Sequence, residues 1–464
     1  MRLNLTSTHR TALLCLLVSS AIFILWGSYL AVKPDTGAMD FKAIYYGARC
    51  VIDHRDPYNP AQFMSVYQAE GGKLPSDPAV LRMFREAEFQ CVNTPSSLFV
   101  AAPLTMLPWG LASVLWMMLI AGSLMLAAFL ILKVAGRDAP RLAPLLICMM
   151  LANSVYVLAL ANASGIAVGL CIVAVWCFVE GRFVPAGILC LALALLLKPH
   201  DAGFVWAYFL LAGGVHRRRA LQTLLVVGVV AIPSMFWVWH VAPQWAQELH
   251  ANVLAGSAPG NGNDPGPASY AFRGTDTVIN LQSAIAIFRD EPAFYNVASY
   301  LVCGSLLLLG AVRTIRARRS QANAWFALAA IAALSMLPVY HRLYDAKLLL
   351  LTIPACAMLW ARSGPLKWIA GLLNTGAIAV TADVPSTILV LFERSLNGRV
   401  TGIAAGLLDL ILLRPAVPIL LATGIFYLWV YLRNTAPVRA LKEIGRLPEP
   451  AKQEAHQAVS LAGV

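Results

Sequence analysis

Residues 110–132 read GLASVLWMMLIAGSLMLAAFLIL, an apolar run without a single charged side chain. An α-helix of about 20 residues crosses a hydrocarbon core about 30 Å thick, so a run of this length can span a membrane. Residues 12–31 and 295–312 have the same character. Because such runs recur along the chain, the sequence predicts an all-α integral membrane protein that crosses the bilayer several times.

The composition of the whole chain supports the same conclusion. Charged residues make up 12% of its 464 residues and hydrophobic residues 59%, with a mean hydropathy of +0.69, whereas soluble domains average about 25% charged residues. No water-soluble fold of this length could bury that much apolar surface. The net charge of +12 does not indicate nucleic-acid binding, because the basic residues form short clusters between apolar runs and no DNA- or RNA-binding motif accompanies them.

The basic clusters predict how the chain is threaded, because cytoplasmic loops of membrane proteins are enriched in Lys and Arg. With the N-terminus inside, roughly 12 spans place each strong basic cluster on the cytoplasmic side. The clusters lie at residues 133–141, 216–219, 313–319, 362–367 and 433–446.

This threading also predicts the organisation of the chain. A cytoplasmic N-terminus with the first span (1–32) precedes a first outer loop (33–95), transmembrane helices two to seven (96–240), a second outer loop (241–293), the C-terminal transmembrane helices (294–433) and a cytoplasmic tail (434–464). Residues 368–413 are the least regular part, because the sequence TADVP at 381–385 interrupts them. They predict one span together with a re-entrant or interfacial helix.

The two outer loops differ in character. The first predicts helices at residues 61–68 and 78–88, where apolar residues recur at spacings of three and four, as in interfacial helices. It also contains Cys50 and Cys91, between which a disulfide is geometrically possible in an oxidising compartment. The second contains APGNGNDPGP at 258–267, a composition that favours turns, so it is either a flexible lid or a simple tether.

Asp40 is the first candidate for a catalytic residue. It closely follows the first span, so its carboxylate is expected near the bilayer surface, where partial desolvation makes a carboxylate more basic. Such a group suits a general base that takes a proton from a hydroxyl. The alternative is that Asp40 is the N-cap of a helix that begins here.

Three further polar segments are predicted on the same side of the membrane. Asp56, within DHRDPYNP at 53–60, is either a substrate contact or part of a turn. Lys198, within KPHD at 198–201, could bind a lipid phosphate or simply extend towards lipid headgroups. The segment YHRLYDAK at 340–347 gathers ionisable residues at the end of a span, where they are costly, which favours a functional role.

Several kinds of site are not indicated. The sequence has no P-loop, no GxGxxG, no HExxH and no spacing of Cys or His that fits zinc, so neither a cofactor nor a metal site is predicted. The candidate residues lie away from cytoplasmic nucleotides. A membrane-embedded lipid is therefore the expected donor if the protein is an enzyme.

Taken together, these segments resemble glycosyltransferase family 87, which includes the mycobacterial phosphatidylinositol mannoside mannosyltransferases and is grouped with GT-C enzymes that use polyprenol-phosphate sugars. The resemblance extends over residues 11–354 and depends on the order of several short motifs. These are Asp40-Phe41 with Tyr45 and Ala48, Asp56-Pro57-Tyr58, Asn162-Ala163-Ser164-Gly165, Gly181 with Gly187, Lys198-Pro199, and Tyr340-His341 after Ser335 and Pro338. Arg55 and Ala161-Asn162 depart from the family pattern, which often has Gly before Asp-Pro-Tyr and Gly-Gln at the fourth span.

The resemblance implies a GT-C-like polytopic helical fold and an inverting transfer of a hexose such as mannose. The donor would be a polyprenyl-phosphate sugar and the acceptor a lipid or a glycan. Asp40 matches the position of the general base, and Lys198, His341 and Arg342 are the cations expected beside the departing phosphate. The remaining predicted substrate contacts are Tyr45, Asp56, Tyr58, Asn162, His200 and Tyr344.

Two other classes of membrane protein are alternatives. A transporter or lipid-linked sugar flippase places its ionisable residues near the bilayer midplane on broken helices, whereas here they gather at one surface. An O-antigen-type polymerase or ligase has its large loop late in the chain, whereas here the early loop, 33–95, is larger. The predicted location is the plasma (inner) membrane of a bacterium, with the active site on the periplasmic side, among membrane lipids and without nucleic-acid partners.

Overall fold

The computed structural model describes residues 7–33, 37–85, 90–272, 274, 278–317, 320–362, 364–396 and 402–434. Among these residues the regular secondary structure is helical, with one isolated antiparallel bridge between Val278 and Arg342. The predicted cytoplasmic tail from residue 435 onwards lies outside the described residues. The all-α class is therefore confirmed for the described part of the chain.

Five α-helices cover the first span, the first outer loop and the start of the segment that follows it. They are α1 (Ser7–Ala31), α2 (Met39–Ile52), α3 (Pro60–Ala69), α4 (Pro78–Phe84) and α5 (Pro95–Ala101), followed by a 3-10 helix (Ala102–Met106). Helices α3 and α4 confirm the helical stretches predicted at 61–68 and at 78–84, whereas residues 86–88 of the second predicted stretch lie outside the described residues. Cys50 and Cys91 are both buried free thiols.

The central helices run from residue 109 to the second outer loop. They are α6 (Trp109–Asp138), α7 (Leu142–Ala152), α8 (Val155–Ala159), α9 (Ser164–Glu180), α10 (Val184–Leu197), α11 (Pro199–Ala212) and α12 (Gly214–Val241). The second outer loop contains α13 (Trp245–Gly256) and α14 (Leu281–Ile285). The composition of this loop predicted only turns, so the sequence did not indicate these two helices.

The C-terminal helices complete the bundle. They are α15 (Pro292–Arg316), α16 (Gln321–Leu334), a 3-10 helix (Leu343–Leu351), α17 (Thr352–Trp360), α18 (Leu366–Val380), α19 (Asp383–Leu396), α20 (Ile403–Leu412) and α21 (Ala416–Asn434). Helices α18 and α19 bend by 72° at their junction. This break falls in the region where the sequence predicts one span with a re-entrant or interfacial helix.

Among the described residues, seven helical segments are long and apolar enough to cross a membrane. They are Arg10–Ala31, Trp109–Asp138, Leu142–Ala159, Gly214–Val241, Pro292–Arg316, Leu343–Trp360 and Ala416–Asn434, and the bent pair α18 and α19 would make an eighth. Shorter apolar helices, α9, α10 and α16 among them, pack between these segments. The multi-pass membrane character is confirmed, whereas the count of roughly 12 spans stays a prediction.

The core of the bundle lies around α9, most of whose residues are buried. By contrast, α12 and α15 keep most of their apolar side chains exposed, among them Leu225, Val229 and Leu301. Large apolar side chains on an outer helix face are stable only against lipid. The bundle therefore has a packed interior and an apolar belt.

The turn between α8 and α9 positions the start of α2. Backbone N–H groups of Ala38 and Asp40 donate to the carbonyls of Ala159 and Leu160 at 2.8 and 3.1 Å. Helix α9 can approach α6 closely here because residue 165 is Gly: a Cβ at this position would lie 2.5 Å from Cγ2 of Ile120. Gly165 is thus required by packing.

The second outer loop is joined to the segment that precedes the second 3-10 helix. Ile279 N donates to the carbonyl of His341 at 2.9 Å, and Leu281 N donates to the carbonyl of Leu337 at 2.8 Å. These bonds hold the C-terminal part of the loop beside His341. Whether the loop also opens as a lid stays a prediction.

Candidate active site

Four helix ends meet around one polar cluster. They are the first turn of α2, the turn between α8 and α9, the junction of α10 and α11, and the segment before the 3-10 helix Leu343–Leu351. Helix ends leave backbone N–H and C=O groups without intrahelical partners, so polar side chains can be accommodated at these places in an otherwise apolar interior. The cluster has three parts, which contain Asp40, Lys198 and His341 respectively.

Asp40 lies in the first turn of α2 and is half-buried. Its Oδ2 accepts a hydrogen bond of 2.6 Å from Nδ2 of Asn162. Asn162 is itself held by the start of α9, because its Oδ1 accepts from Ser164 N at 2.8 Å. Ala38, with φ 53°, occupies the N-cap position of α2. The N-cap alternative for Asp40 is therefore wrong, and its carboxylate is oriented by a side chain from the turn between α8 and α9.

Lys198 forms a buried ion pair at the junction of α10 and α11. Its Nζ lies 2.7 Å from Oδ1 of Asp345 and donates to Oγ of Ser164, which in turn donates to Asp345. The side chain of Lys198 is 13% exposed and that of Asp345 is 0% exposed. This geometry excludes the alternative of a lysine that extends towards lipid headgroups.

Tyr344 lies near both Lys198 and Asp40. Nζ of Lys198 is 5.0 Å from the centroid of the Tyr344 ring, a distance typical of a cation–π contact. Tyr344 also interacts electrostatically with the carboxylate of Asp40. The buried ring of Tyr344 therefore lies near both the predicted base, Asp40, and the predicted phosphate-binding cation, Lys198.

His200, Asp201 and His341 form the third part of the cluster. Oδ1 of Asp201 lies 3.3 Å from Nε2 of His341 and 3.8 Å from Nε2 of His200. The two imidazole rings meet edge to face, with their centroids 5.0 Å apart. Oδ2 of Asp201 lies 3.8 Å from Nζ of Lys198, so this group is continuous with the buried ion pair.

The surroundings of His341 favour a positive charge on or beside its ring. Burial by itself would lower the pKa of His341, but the close contact with Asp201 and the charges of Asp345 and Asp201 outweigh burial and raise this pKa. His341 is 1% exposed, so solvent does not screen these interactions.

Arg342 joins the second outer loop to the cluster. Its Nη2 donates to the carbonyl of Gly262 at 3.1 Å and to Oδ1 of Asn263 at 2.8 Å, and its Nε donates to the hydroxyl of Tyr340. The backbone N–H of Arg342 donates to Oδ2 of Asp345 at 2.7 Å. Asp345 therefore contacts two of the three predicted cations, Lys198 through its ammonium group and Arg342 through its backbone N–H.

Three of the predicted substrate contacts have structural partners of their own. The hydroxyl of Tyr45 donates to the carbonyl of Leu107, and that of Tyr58 donates to the carbonyl of Asn93, both at 2.9 Å. Oδ1 of Asp56 accepts from Tyr58 N at 2.8 Å, which closes the turn that was the alternative reading of Asp56. Their role in substrate binding stays a prediction.

Asp56 also contacts Glu248 of α13. Burial, the hydrogen bond with Asp56 and the charge of Asp56 raise the pKa of Glu248 to about 7. The contact between Asp56 and Glu248 joins the first and second outer loops. This pair lies outside the membrane-spanning segments.

Three residues of the cluster were not among the predicted site residues: Ser164, Asp201 and Asp345. Each lies in a segment that the sequence had already marked, within residues 162–165, 198–201 and 340–347. The signal was therefore the density of polar residues at span ends. What the sequence did not show is that these particular side chains hold Lys198 and His341 in place.

Comparison with known protein families gives a match over a part of the chain that includes some residues of this cluster. The model of glycosyltransferase family 87 matches residues 92–337, more than half of the chain. The match takes in Asn162 and Lys198 and leaves out Asp40 and His341. No curated protein and no solved structure matches the chain. With its apolar spanning helices, the protein is a membrane glycosyltransferase, and the chain belongs to glycosyltransferase family 87.

Proposed function

We propose that this glycosyltransferase transfers a hexose such as mannose from a polyprenyl-phosphate sugar to a lipid or glycan acceptor. The reaction would take place at the periplasmic surface of a bacterial plasma membrane. The hydrogen bond between Asn162 and Asp40 carries the proposal, because it orients a carboxylate at the turn whose Ser164 contacts the buried ammonium group of Lys198. A base and a cation in this relation are what transfer from a sugar phosphate requires.

The proposed reaction is a single displacement that inverts the anomeric carbon. The acceptor hydroxyl attacks that carbon, and its proton passes to Asp40. The bond between the anomeric carbon and the phosphate oxygen breaks, and its electron pair leaves with the polyprenyl phosphate. Asp40 suits the first task because Asn162 holds one of its oxygens, which limits the carboxylate to a small range of orientations.

The departing phosphate gains negative charge, which cations must stabilise. Lys198 is preorganised for this role, since Asp345 and Ser164 fix its ammonium group at a helix junction. Arg342 lies in the adjacent segment and is fixed by Asn263. Groups that are already oriented need no reorganisation when charge develops, which is the largest source of catalysis in many enzymes.

An apolar groove supports a lipid-linked donor. It has a volume of about 270 Å³ and lies between α11, α15, α16 and α21. Phe204, Tyr208 and Leu211 line it from α11, at positions three, seven and ten residues after Asp201. This spacing keeps them on the helix face that carries Asp201. A polyprenyl chain packed in the groove would therefore lie on the same side of α11 as the polar cluster.

Transfer of a radiolabelled sugar tests the proposal. The full-length protein in mild detergent would be incubated with polyprenyl-phosphate mannose and a membrane lipid extract, beside the variant Asp40→Asn. Because a general base typically contributes about 10²- to 10⁴-fold, we expect the variant to lose that much activity. Asp138→Asn is the matched control, since Asp138 is an exposed carboxylate at the end of α6, and it should keep wild-type activity.

Two results would contradict the proposal. If no polyprenyl-phosphate sugar supports transfer while a nucleotide sugar does, the donor class is wrong. If Asp40→Asn keeps full activity, Asp40 is not the base. The anomeric configuration of the product, read by NMR, separately tests whether the reaction inverts.

A further inference from the structure

His200, Asp201 and His341 place three metal-binding side chains around one point. We propose that they bind a divalent first-row transition-metal ion such as Zn²⁺, and that this ion contacts a phosphate oxygen of the donor. The binding of the ion depends only on this chain's own side chains. Its contact with phosphate rests on the proposed function.

The distances between the ligand atoms suit such an ion. One ring nitrogen of each imidazole and a carboxylate oxygen of Asp201 all lie within 4.8 Å of one another. Both Nε2 atoms converge on the same oxygen, Oδ1, at 3.3 and 3.8 Å. Ligands bound at about 2.0–2.2 Å to a tetrahedral zinc ion lie about 3.4 Å apart. The three side chains are therefore close to the arrangement that the ion requires.

The same atoms are buried without suitable partners. Nε2 of His200, Nε2 of His341 and both carboxylate oxygens of Asp201 have no hydrogen-bond partner of acceptable geometry among the described residues. Buried polar atoms of this kind are rare in folded proteins. A proton between His341 and Asp201 would satisfy one pair and leave Nε2 of His200 unpaired. One metal ion would satisfy all three side chains.

The neighbouring groups orient the ligands as in known metal sites. Nδ1 of His341 lies 3.2 Å from the carbonyl of Val339, and a proton on Nδ1 directs the lone pair of Nε2 towards Asp201. Metal-bound histidines usually donate their second N–H to a carbonyl or carboxylate in this way. Lys198 does not occupy the ion's position, since it lies on the Oδ2 side of Asp201 and pairs with Asp345.

The ligand set indicates which ions fit. Two imidazole nitrogens favour Zn²⁺ and related transition ions, whereas Mg²⁺ and Ca²⁺ prefer oxygen ligands alone. Three protein ligands leave at least one coordination position open, as in catalytic rather than structural zinc sites. The side chain of His200 is 33% exposed, which gives the ion and a phosphate oxygen a route to this position.

A divalent ion would change the charge balance of the cluster. Lys198 lies within 3.8 Å of two carboxylates, those of Asp345 and Asp201, so the formal negative charge beside it exceeds its single positive charge. A divalent ion reverses the balance and would polarise the phosphate oxygens directly.

Zinc binding by the full-length protein tests the site. The detergent-solubilised protein would be stripped with a chelator, equilibrated with Zn²⁺ and assayed for metal content. We expect about one ion per chain, as in a mononuclear catalytic site. His200→Ala should weaken affinity by at least about 100-fold, because loss of an outer-shell partner alone typically costs 10- to 100-fold. The exposed His250 of α13 provides the matched control, and His250→Ala should bind like wild type.

A second measurement does not depend on any variant. The wild-type protein loaded with Co²⁺ should show the visible absorption bands of a tetrahedral nitrogen and oxygen site. Equal Zn²⁺ affinity in wild type and His200→Ala, or Co²⁺ bands like those of free aqueous ion, would overturn the site.

Sugar transfer by stripped and reloaded protein tests the role of the ion. We expect stripping to lower transfer from polyprenyl-phosphate mannose at least about 10-fold and Zn²⁺ to restore it. If stripped protein transfers at the full rate, the contact with phosphate is refuted while the proposed function stands. If zinc binds as expected and no polyprenyl-phosphate sugar is used, the proposed donor is refuted while the metal site stands.

Discussion

Replacing Lys198 with Met would remove the cation of the buried ion pair while keeping most of the side-chain volume. Nζ lies 2.7 Å from Asp345, whose side chain is 0% exposed, and 3.8 Å from Asp201, whose side chain is 1% exposed. Removing one partner of a buried pair typically costs about 3–5 kcal/mol, because the remaining charge has no compensation. We therefore expect the folding equilibrium to shift by about 10²- to 10³-fold or more.

The assay is unfolding by SDS or heat in mild detergent, with the free energy of unfolding compared between variants. Lys133→Met is the matched control, since Lys133 is exposed near the end of α6, and it should change stability by less than about 0.5 kcal/mol. The double variant Lys198→Met with Asp345→Asn removes both charges of the pair and should regain part of the loss. The regained part measures the coupling between the two residues.

Activity and stability should separate in this series. The double variant regains stability but still lacks the ammonium group, so its transfer activity should stay as low as that of Lys198→Met. The reasoning would be refuted if Lys198→Met unfolds like the wild type, or if adding Asp345→Asn gives no recovery of stability.

Two further variants test other contacts. Asn162→Ala removes the hydrogen bond that orients Asp40. Because a misplaced base transfers a proton poorly, kcat should fall about 10- to 100-fold with little change in KM. A fall in thermal stability with unchanged kcat would show that Asn162 is merely structural. Glu248→Gln tests the carboxyl pair between the two outer loops. Because the pKa of Glu248 is raised to about 7 by burial and by Asp56, its contribution to stability is complete below its ordinary pKa and is lost as pH rises through about 7. The melting temperature of the wild type should therefore fall more than that of Glu248→Gln between about pH 5 and pH 8, and parallel curves would contradict this.

The approximate positions of the spans and of some shorter helices could be predicted from residue type and spacing. Apolar runs locate the spans, because backbone N–H and C=O groups in lipid must pair with each other, as they do within an α-helix. The helices α3 and α4 follow from local periodicity, and the junction of α10 and α11 follows from Pro199, which cannot continue the hydrogen-bond ladder of α10. The same local reasoning selected Lys198 and His341 as polar residues at span ends.

The pairing of side chains could not be predicted in this way. Ser164 and Asp345 are 181 residues apart in sequence, and Lys198 and Asp345 are 147 apart. Nothing in the spacing of either residue indicates the other, since the contact depends on how α9, α10 and the second 3-10 helix pack. The N-cap of α2 is a further example, because hydrogen bonds that Ala38 N and Asp40 N donate to the carbonyls of Ala159 and Leu160, rather than local propensity, decide where that helix begins.

The sequence by itself determined that this chain is a multi-pass membrane protein with polar residues at particular span ends, because hydrophobicity and charge act locally and are visible in any short stretch. Only the tertiary structure decided that Asn162 holds Asp40, that Asp345 and Ser164 hold Lys198, and that His200 and His341 converge on Asp201. These relations depend on the rotation and crossing of packed helices. A shift of one residue along any of these helices would turn a side chain by about 100° and separate it from its partner.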